Sequence, residues 1–220
     1  MVLVKICGIT NWADAKAAAD AGADAIGFNF YQKSLRRIST ADAAQIRSKL
    51  PQGIQVVGVF VNTQPADISS LRALVRFDSA QLHGDETPAI VSQVARKLPV
   101  IKAFRVGPDL PPAKFDEYSD AFAFLLDGAR AGQYGGTGHT TDWDFARRAA
   151  SSRRIILSGG LKIENVAEAI RHVHPYAVDV ASGLEVKPGK KDHGKLQEFI
   201  QEVRRVEQEI AAQPESPTHA

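Results

Sequence analysis

The feature that most limits what this chain can fold into is a recurrence. Short apolar runs return eight times, at 3–9, 25–30, 55–61, 79–83, 99–104, 121–127, 154–158 and 176–181. Each is too short for an independent helix. Several are rich in Val, Ile and Phe, the composition of strands buried on both faces of a parallel sheet. The stretches between them carry helix signals. Asn11 and Asp14 bracket an N-cap and its third-position carboxylate before an alanine-rich segment that stops at Gly22. Pro65 opens another helix, with Ile68, Leu71, Leu74 and Val75 expected on one face. The last helix strings Leu196, Phe199, Ile200, Val203, Val206 and Ile210 along a single stripe. The linker around 109–119 is the exception, because Pro108, Pro111 and Pro112 leave it room for only a short helix.

Eight strands alternating with helical linkers predict one α/β domain, a (β/α)8 TIM barrel over residues 1–212. An open sheet of eight strands would be large for 220 residues, and no linker has the composition of a domain boundary. The tail 213–220 is small, polar and proline-containing, and is expected to be disordered. Charge adds little: 27 basic against 25 acidic residues. The basic cluster from Lys187 to Lys195 is interrupted by Pro188, Gly189, Asp192, His193 and Gly194, and reads as a solvated turn. No nucleic-acid partner is expected. No apolar run approaches the ~18 residues of a membrane span, and no leader is seen, so a cytoplasmic protein without a membrane partner is expected. The single cysteine, Cys7, excludes an intramolecular disulfide and would remain a free thiol in a reducing compartment. The six histidines have no metal-ligand spacing, so no metal is expected.

In a barrel of this type, functional side chains gather at the C-terminal ends of the strands. That rule selects Cys7, Asn29, His83, Asp127, Ser158 and Asp179. Strand alternation sends Lys5 and Cys7 into the barrel and Val4 and Ile6 toward the helices. A lone cysteine on an apolar strand also suits inert packing. The lysine beside it favours the thiolate, and is expected to bring the thiol pKa down toward neutrality. Asp127 shares a face with Ala123 and Leu125, and serves either as a proton donor or as a cap of the Gly128 turn. Strands 1 and 6 lie nearly opposite in an eight-membered ring, so Cys7 and Asp127 would flank a ligand from two sides.

Other candidates surround that pair. Gln81 and His83 share a face near the end of strand 4, and with Lys5 and Asp179 form an expected supporting set. Gly159 and Gly160 in SGGL follow strand 7; Ser182 and Gly183 in ASGLE follow strand 8. Those adjacent strand ends are the usual phosphate site of such barrels. The glycine-rich segment from Gly128 to Thr140 suits a lid, centred on Gly135, Gly136, Thr137 and Gly138. Either Arg36 or Arg37 offers a guanidinium for a substrate carboxylate, and spacing does not say which.

KICGIT at 5–10, QLHG at 81–84, LLDG at 125–128, GGTG with Asp142 and Trp143, SGGL at 158–161 and DVASGLE at 179–185 occur in one order. Together they resemble the phosphoribosylanthranilate isomerases of tryptophan biosynthesis, over about 5–200. The resemblance implies an Amadori rearrangement of N-(5-phosphoribosyl)anthranilate to 1-(2-carboxyphenylamino)-1-deoxyribulose 5-phosphate, without metal or organic cofactor. It implies Cys7 as general base, Asp127 as general acid and Arg36 as ligand of the anthranilate carboxylate. It also implies phosphate binding at Gly159, Gly160, Ser182 and Gly183, in an enzyme working as a monomer or a homodimer. One departure stands out. This chain reads SLR at 34–36 where the family text is close to SPR, so Leu35 gives up a fixed φ and altered loop geometry is expected. A related isomerase of the histidine pathway would share fold and chemistry but resembles a pair of aspartates, where strand 1 here carries Cys7. A non-catalytic phosphosugar-binding barrel is the alternative of a different class.

Overall fold

The computed structural model describes residues 1–107, 110–128 and 142–212. Eight parallel strands close into a barrel in chain order: β1 Leu3–Cys7, β2 Ala25–Asn29, β3 Gln55–Phe60, β4 Ser79–Leu82, β5 Val100–Val106, β6 Ala123–Gly128, β7 Ile155–Leu157 and β8 Ala177–Val180. The seam pairs β1 with β8, and sets Lys5 opposite Asp179. The expected (β/α)8 barrel is therefore the fold, although several apolar runs overshoot the strands by a residue or two. Ile9, for example, is buried, but Gly8 before it takes φ +76° and has already turned out of β1.

Alternation along each strand builds two apolar layers. Val4, Ile6, Phe124 and Leu126 point outward into the layer shared with the helices. Val57, Ile101, Ala103, Ala123, Leu125, Ile156 and Ala177 fill the barrel interior. Complete burial of a side chain such as Ile6 contributes about 1.5–3 kcal/mol. The interior is apolar only part of the way up. Toward the C-terminal end the inward positions become Cys7, Gln81, Asp127 and Asp179, which opens a polar floor.

The outer layer comprises α1 Trp12–Asp20, α2 Thr40–Lys49, α3 Pro65–Val75, α4 Pro88–Ala95, α5 Trp143–Ala150, α6 Ile163–Val173 and α7 His193–Ala212. Asn11 caps α1 by accepting the Asp14 N–H at 2.9 Å. The proline-rich linker forms a 3-10 helix, Pro112–Tyr118, whose Phe115 and Tyr118 pack edge-on against Phe104 with ring centroids 5.4 and 5.2 Å away. It covers β5 as a longer helix would. On α3, Leu74 departs from the expected face and is 64% exposed. It lies about 120° round the helix from Ile68, whereas Leu71 and Val75 fall within about 60°. Among the described residues no helix is long and apolar enough to cross a membrane.

The stretch after β8 corrects the sequence reading. Residues 185–191 form a small hairpin, β9 Glu185–Lys187 with β10 Lys190–Lys191, before α7 begins. Lys187 and Lys190 are solvated, as expected of a basic turn, but Lys191 is only 2% exposed. Its backbone N–H donates to Asp14 Oδ2 at 2.9 Å, which fastens the hairpin to α1. The proposed lid at Gly135, Gly136, Thr137 and Gly138 and the tail 213–220 lie outside the described residues.

Candidate active site

One cleft at the C-terminal end of the barrel is lined by Cys7, Asn29, Tyr31, Ser34, Arg36, Gln81, His83, Asp127, Ser158 and Asp179. All six residues selected by the strand-end rule are among them. They come from β1, β2, β4, β6, β7 and β8 or the residues just beyond.

Cys7 lies beside Gly27 in the β1–β2 register, and Gly27 is what admits the thiol: a Cβ there would stand 2.8 Å from Sγ. Two positions down the same inward face, Lys5 Nζ donates to Asp179 Oδ1 at 2.6 Å, with both side chains buried. Ser158 Oγ donates to the other oxygen, Oδ2, at 3.3 Å. Burial would push the Lys5 ammonium down, but Asp179 and then Cys7 outweigh it and hold its pKa above the ordinary lysine value. The thiol behaves differently from expectation. Burial pushes the Cys7 pKa up, and although Lys5 and Lys191 pull it down, Asp179 offsets part of that pull. The net shift is upward. Lys5 does act in the expected direction, but desolvation together with Asp179 outweighs the pull of the two lysines.

Opposite, Asp127 ends the inward face of β6, above Ala123 and Leu125. His83 Nε2 stands 3.4 Å from Asp127 Oδ2, and neither His83 Nε2 nor Asp127 Oδ1 has a hydrogen-bond partner among the described residues. Gln81 Nε2 meets His83 Nδ1 at 2.8 Å, so the two are brought together as their shared face requires. That contact leaves Nε2 as the ring nitrogen facing Asp127. Gln81 Oε1 is also buried without a partner. Three orphaned polar atoms on neighbouring inward positions are costly unless a ligand or water meets them.

Of the two arginines, Arg36 faces the cleft and Arg37 is exposed. Leu35 is 78% exposed, and the loop owes its shape to its neighbour instead. Ser34 Oγ accepts the Arg36 N–H at 3.1 Å and the Asn29 amide at 3.0 Å, while Asn29 Oδ1 accepts the Tyr31 N–H at 2.9 Å. Those bonds supply order that a proline at 35 would otherwise give. Sequence reasoning missed what holds the arginine head. Arg36 Nε and Nη2 both donate to Glu185, at 2.9 and 2.7 Å, and Lys191 Nζ donates to the same carboxylate at 3.1 Å. Only the SGLE text hinted at Glu185, and nothing local hinted at Lys191.

The glycine pairs sit where expected. Gly159 and Gly160 take φ of 84° and 67°, a left-handed turn that few other residues adopt. Gly183 abuts that turn, since a Cβ there would collide with the Leu161 carbonyl oxygen. The loops after β7 and β8 are thus packed directly against each other. Among the described residues no group of three or more His, Cys, Asp or Glu side chains is arranged to hold a metal.

Residues 4–202 match the family described as N-(5'phosphoribosyl)anthranilate (PRA) isomerase. The chain belongs to this family. The N-(5'-phosphoribosyl)anthranilate isomerase of Pelobacter propionicus is 48% identical over 200 residues, 91% of this chain and 94% of that protein. Among solved structures, the phosphoribosyl anthranilate isomerase of Thermotoga maritima superposes with a TM-score of 0.87 at 43% identity, covering 93% of this chain and all of that one. A phosphoribosyl anthranilate isomerase in complex with reduced 1-(o-carboxyphenylamino)-1-deoxyribulose 5-phosphate superposes at 0.84 with 41% identity, over 93% of this chain and all of that one. As a phosphoribosylanthranilate isomerase, the chain is an enzyme, and the cleft between β1 and β6 is its candidate active site.

Proposed function

We propose that Cys7 and Asp127 divide the two proton transfers of the family's reaction, the Amadori rearrangement of N-(5'-phosphoribosyl)anthranilate to 1-(2-carboxyphenylamino)-1-deoxyribulose 5-phosphate in tryptophan biosynthesis. Asp127, as the general acid, gives a proton to the furanose ring oxygen. The C1–O bond breaks as the nitrogen lone pair forms the C=N bond, which opens the sugar as an iminium. The Cys7 thiolate then takes the proton from C2, and the released electron pair neutralises the iminium nitrogen as an enolamine. Tautomerisation gives the aminoketone. The redox change is internal, carbon 1 being reduced and carbon 2 oxidised, so the step calls for no cofactor.

One observation carries this reading: Cys7 from β1 and Asp127 from β6 line the same cleft, so one bound sugar can meet both. Arg36 takes the anthranilate carboxylate, and the paired loops carrying Gly159, Gly160, Ser182 and Gly183 take the phosphate. Lys5 and Asp179 support Cys7, and Gln81 and His83 support Asp127. A free thiol of this kind suits a reducing cytoplasm. Every side chain invoked comes from one chain and none calls for a nucleic acid or a membrane, so the reading serves a monomer and a homodimer alike.

The test is turnover of N-(5'-phosphoribosyl)anthranilate, followed by its fluorescence, in wild type, Cys7→Ser and Asp127→Asn. Each substitution should lower kcat by roughly 10²–10⁴-fold, the usual size of a lost general acid or base. Near-normal turnover in both variants, or wild-type binding without turnover, would overturn the assignment.

A further inference from the structure

Arg36 is held from the far end of the chain. Glu185, 149 residues later, accepts from Nε at 2.9 and 3.1 Å and from Nη2 at 2.7 Å. Those two nitrogens form the side-on edge of the guanidinium. A guanidinium carries five N–H donors in one rigid plane. With the side-on edge engaged, the edge left for a second carboxylate is the end-on one, made by Nη1 and the remaining Nη2 hydrogen.

Glu185 is itself fixed. Its side chain is buried, and Oε1 also accepts from Lys191 Nζ at 3.1 Å and from the Gly189 N–H at 3.3 Å. Lys191 Nζ donates to the Ala181 carbonyl at 3.0 Å, which ties the hairpin to the end of β8. Burial pushes the Glu185 carboxyl up, yet Arg36 and Lys191 together hold it below the ordinary carboxylate range. From the other side Gly8 leaves the arginine stem no slack, since a Cβ there would stand 2.6 Å from Cδ. An arginine needed only for its charge could sit in solvent. Here two cations and one anion are withdrawn from water around a single guanidinium, and they retain one net positive charge.

We propose that Glu185 is the positioning residue for the substrate carboxylate. It occupies the side-on edge of Arg36, so that the end-on edge alone meets the anthranilate carboxylate and sets how the aryl amine lies relative to Cys7. This rests on the reading of Arg36 as the carboxylate ligand. Glu185 touches no reacting atom; it acts through Arg36.

A double-mutant cycle tests the proposal. Arg36→Met and Glu185→Gln should each lower kcat/KM by about tenfold or more, the scale of a lost charge-assisted bidentate contact. The double variant should be no worse than Arg36→Met alone, within about twofold, because Glu185 has nothing left to position. Losses that multiply would overturn the inference while leaving Arg36 in its role. An Arg36→Met variant with normal kcat/KM would instead overturn the Arg36 reading, and this inference with it. Should Glu185→Gln fail to fold, Glu185→Asp takes its place in the cycle. That variant keeps the charge beside Lys191 but is one methylene too short for the two-point contact. It should lose turnover comparably, and wild-type kcat/KM in it would show that charge alone suffices and that the positioning role is wrong.

Discussion

Gly27 and Cys7 are matched across the β1–β2 pair: the space a side chain would take at Gly27 is the space the thiol occupies, 2.8 Å from Sγ to the site of a Cβ. Gly27→Ala should therefore displace the sulfur while leaving the fold intact. Overpacking of this kind costs about 1–3 kcal/mol. The expected result is a folded protein with a lower thermal midpoint and kcat reduced about tenfold or more. Unchanged kcat would mean that the thiol position does not limit the reaction.

Lys5 should set where the thiolate becomes available. The base form of Cys7 is the anion, so kcat/KM should rise with pH toward a thiol pKa that burial has pushed above its ordinary 9.0. In Lys5→Met that limb should move to still higher pH. Asp179 would then be a buried carboxylate without its ammonium, so Lys5→Met/Asp179→Asn is the cleaner comparison. The same raised pKa makes a stability prediction: the contribution of the neutral thiol is complete below the unfolded value and is lost as pH rises through the folded one. Alkylation rate of Cys7 against pH reads the thiol directly. An unmoved profile in both variants would remove any electrostatic role for Lys5.

His83 turns Nε2 toward Asp127, because Gln81 occupies its other nitrogen. His83→Gln keeps a side-chain N–H near the place of Nε2 and should hold kcat within about threefold. His83→Leu removes it and should lower kcat by about 10–100-fold with KM little changed. Equal losses in the two would assign His83 to packing.

The loop that carries His83 rests on a buried ion pair. Lys102 Nζ donates to Glu86 at 2.8 Å and to the carbonyls of Leu82 and Gly84, while Glu86 accepts the N–H groups of Asn62 and Gly84. Lys102→Met should cost about 3–5 kcal/mol in denaturant unfolding, the penalty of a carboxylate left buried alone. A cost below about 1 kcal/mol would show that the pair contributes little.

Most of the barrel, and the placement of Cys7 and Asp127 in one cleft, was legible in the sequence, and for one physical reason. A strand has a period of two, so the apolar neighbours Val4 and Ile6 determine where Lys5 and Cys7 point, and Phe124 and Leu126 do the same for Asp127. Glycines that must turn left, such as Gly159 and Gly160, are equally local signals. Glu185 and Lys191 left no such trace. In a short stretch of charge and proline a buried lysine looks like a solvated one, and only its partners, Asp14 on α1, the Ala181 carbonyl after β8 and Glu185, reveal the difference. The net upward shift of the Cys7 thiol was illegible for a related cause: spacing shows that a lysine is near, not how much water both groups have lost.

Lys5 and Asp179 stand 174 positions apart in the chain yet share one hydrogen bond at the barrel seam. During synthesis, the first strand emerges carrying an ammonium whose carboxylate has not yet been made. Until β8 arrives, seating that lysine inside an incomplete sheet would strand a charge, so β1 has reason to stay wet. Closing the seam is what brings that ammonium its carboxylate, so the interior of the first strand dries at least cost once the last one is in place.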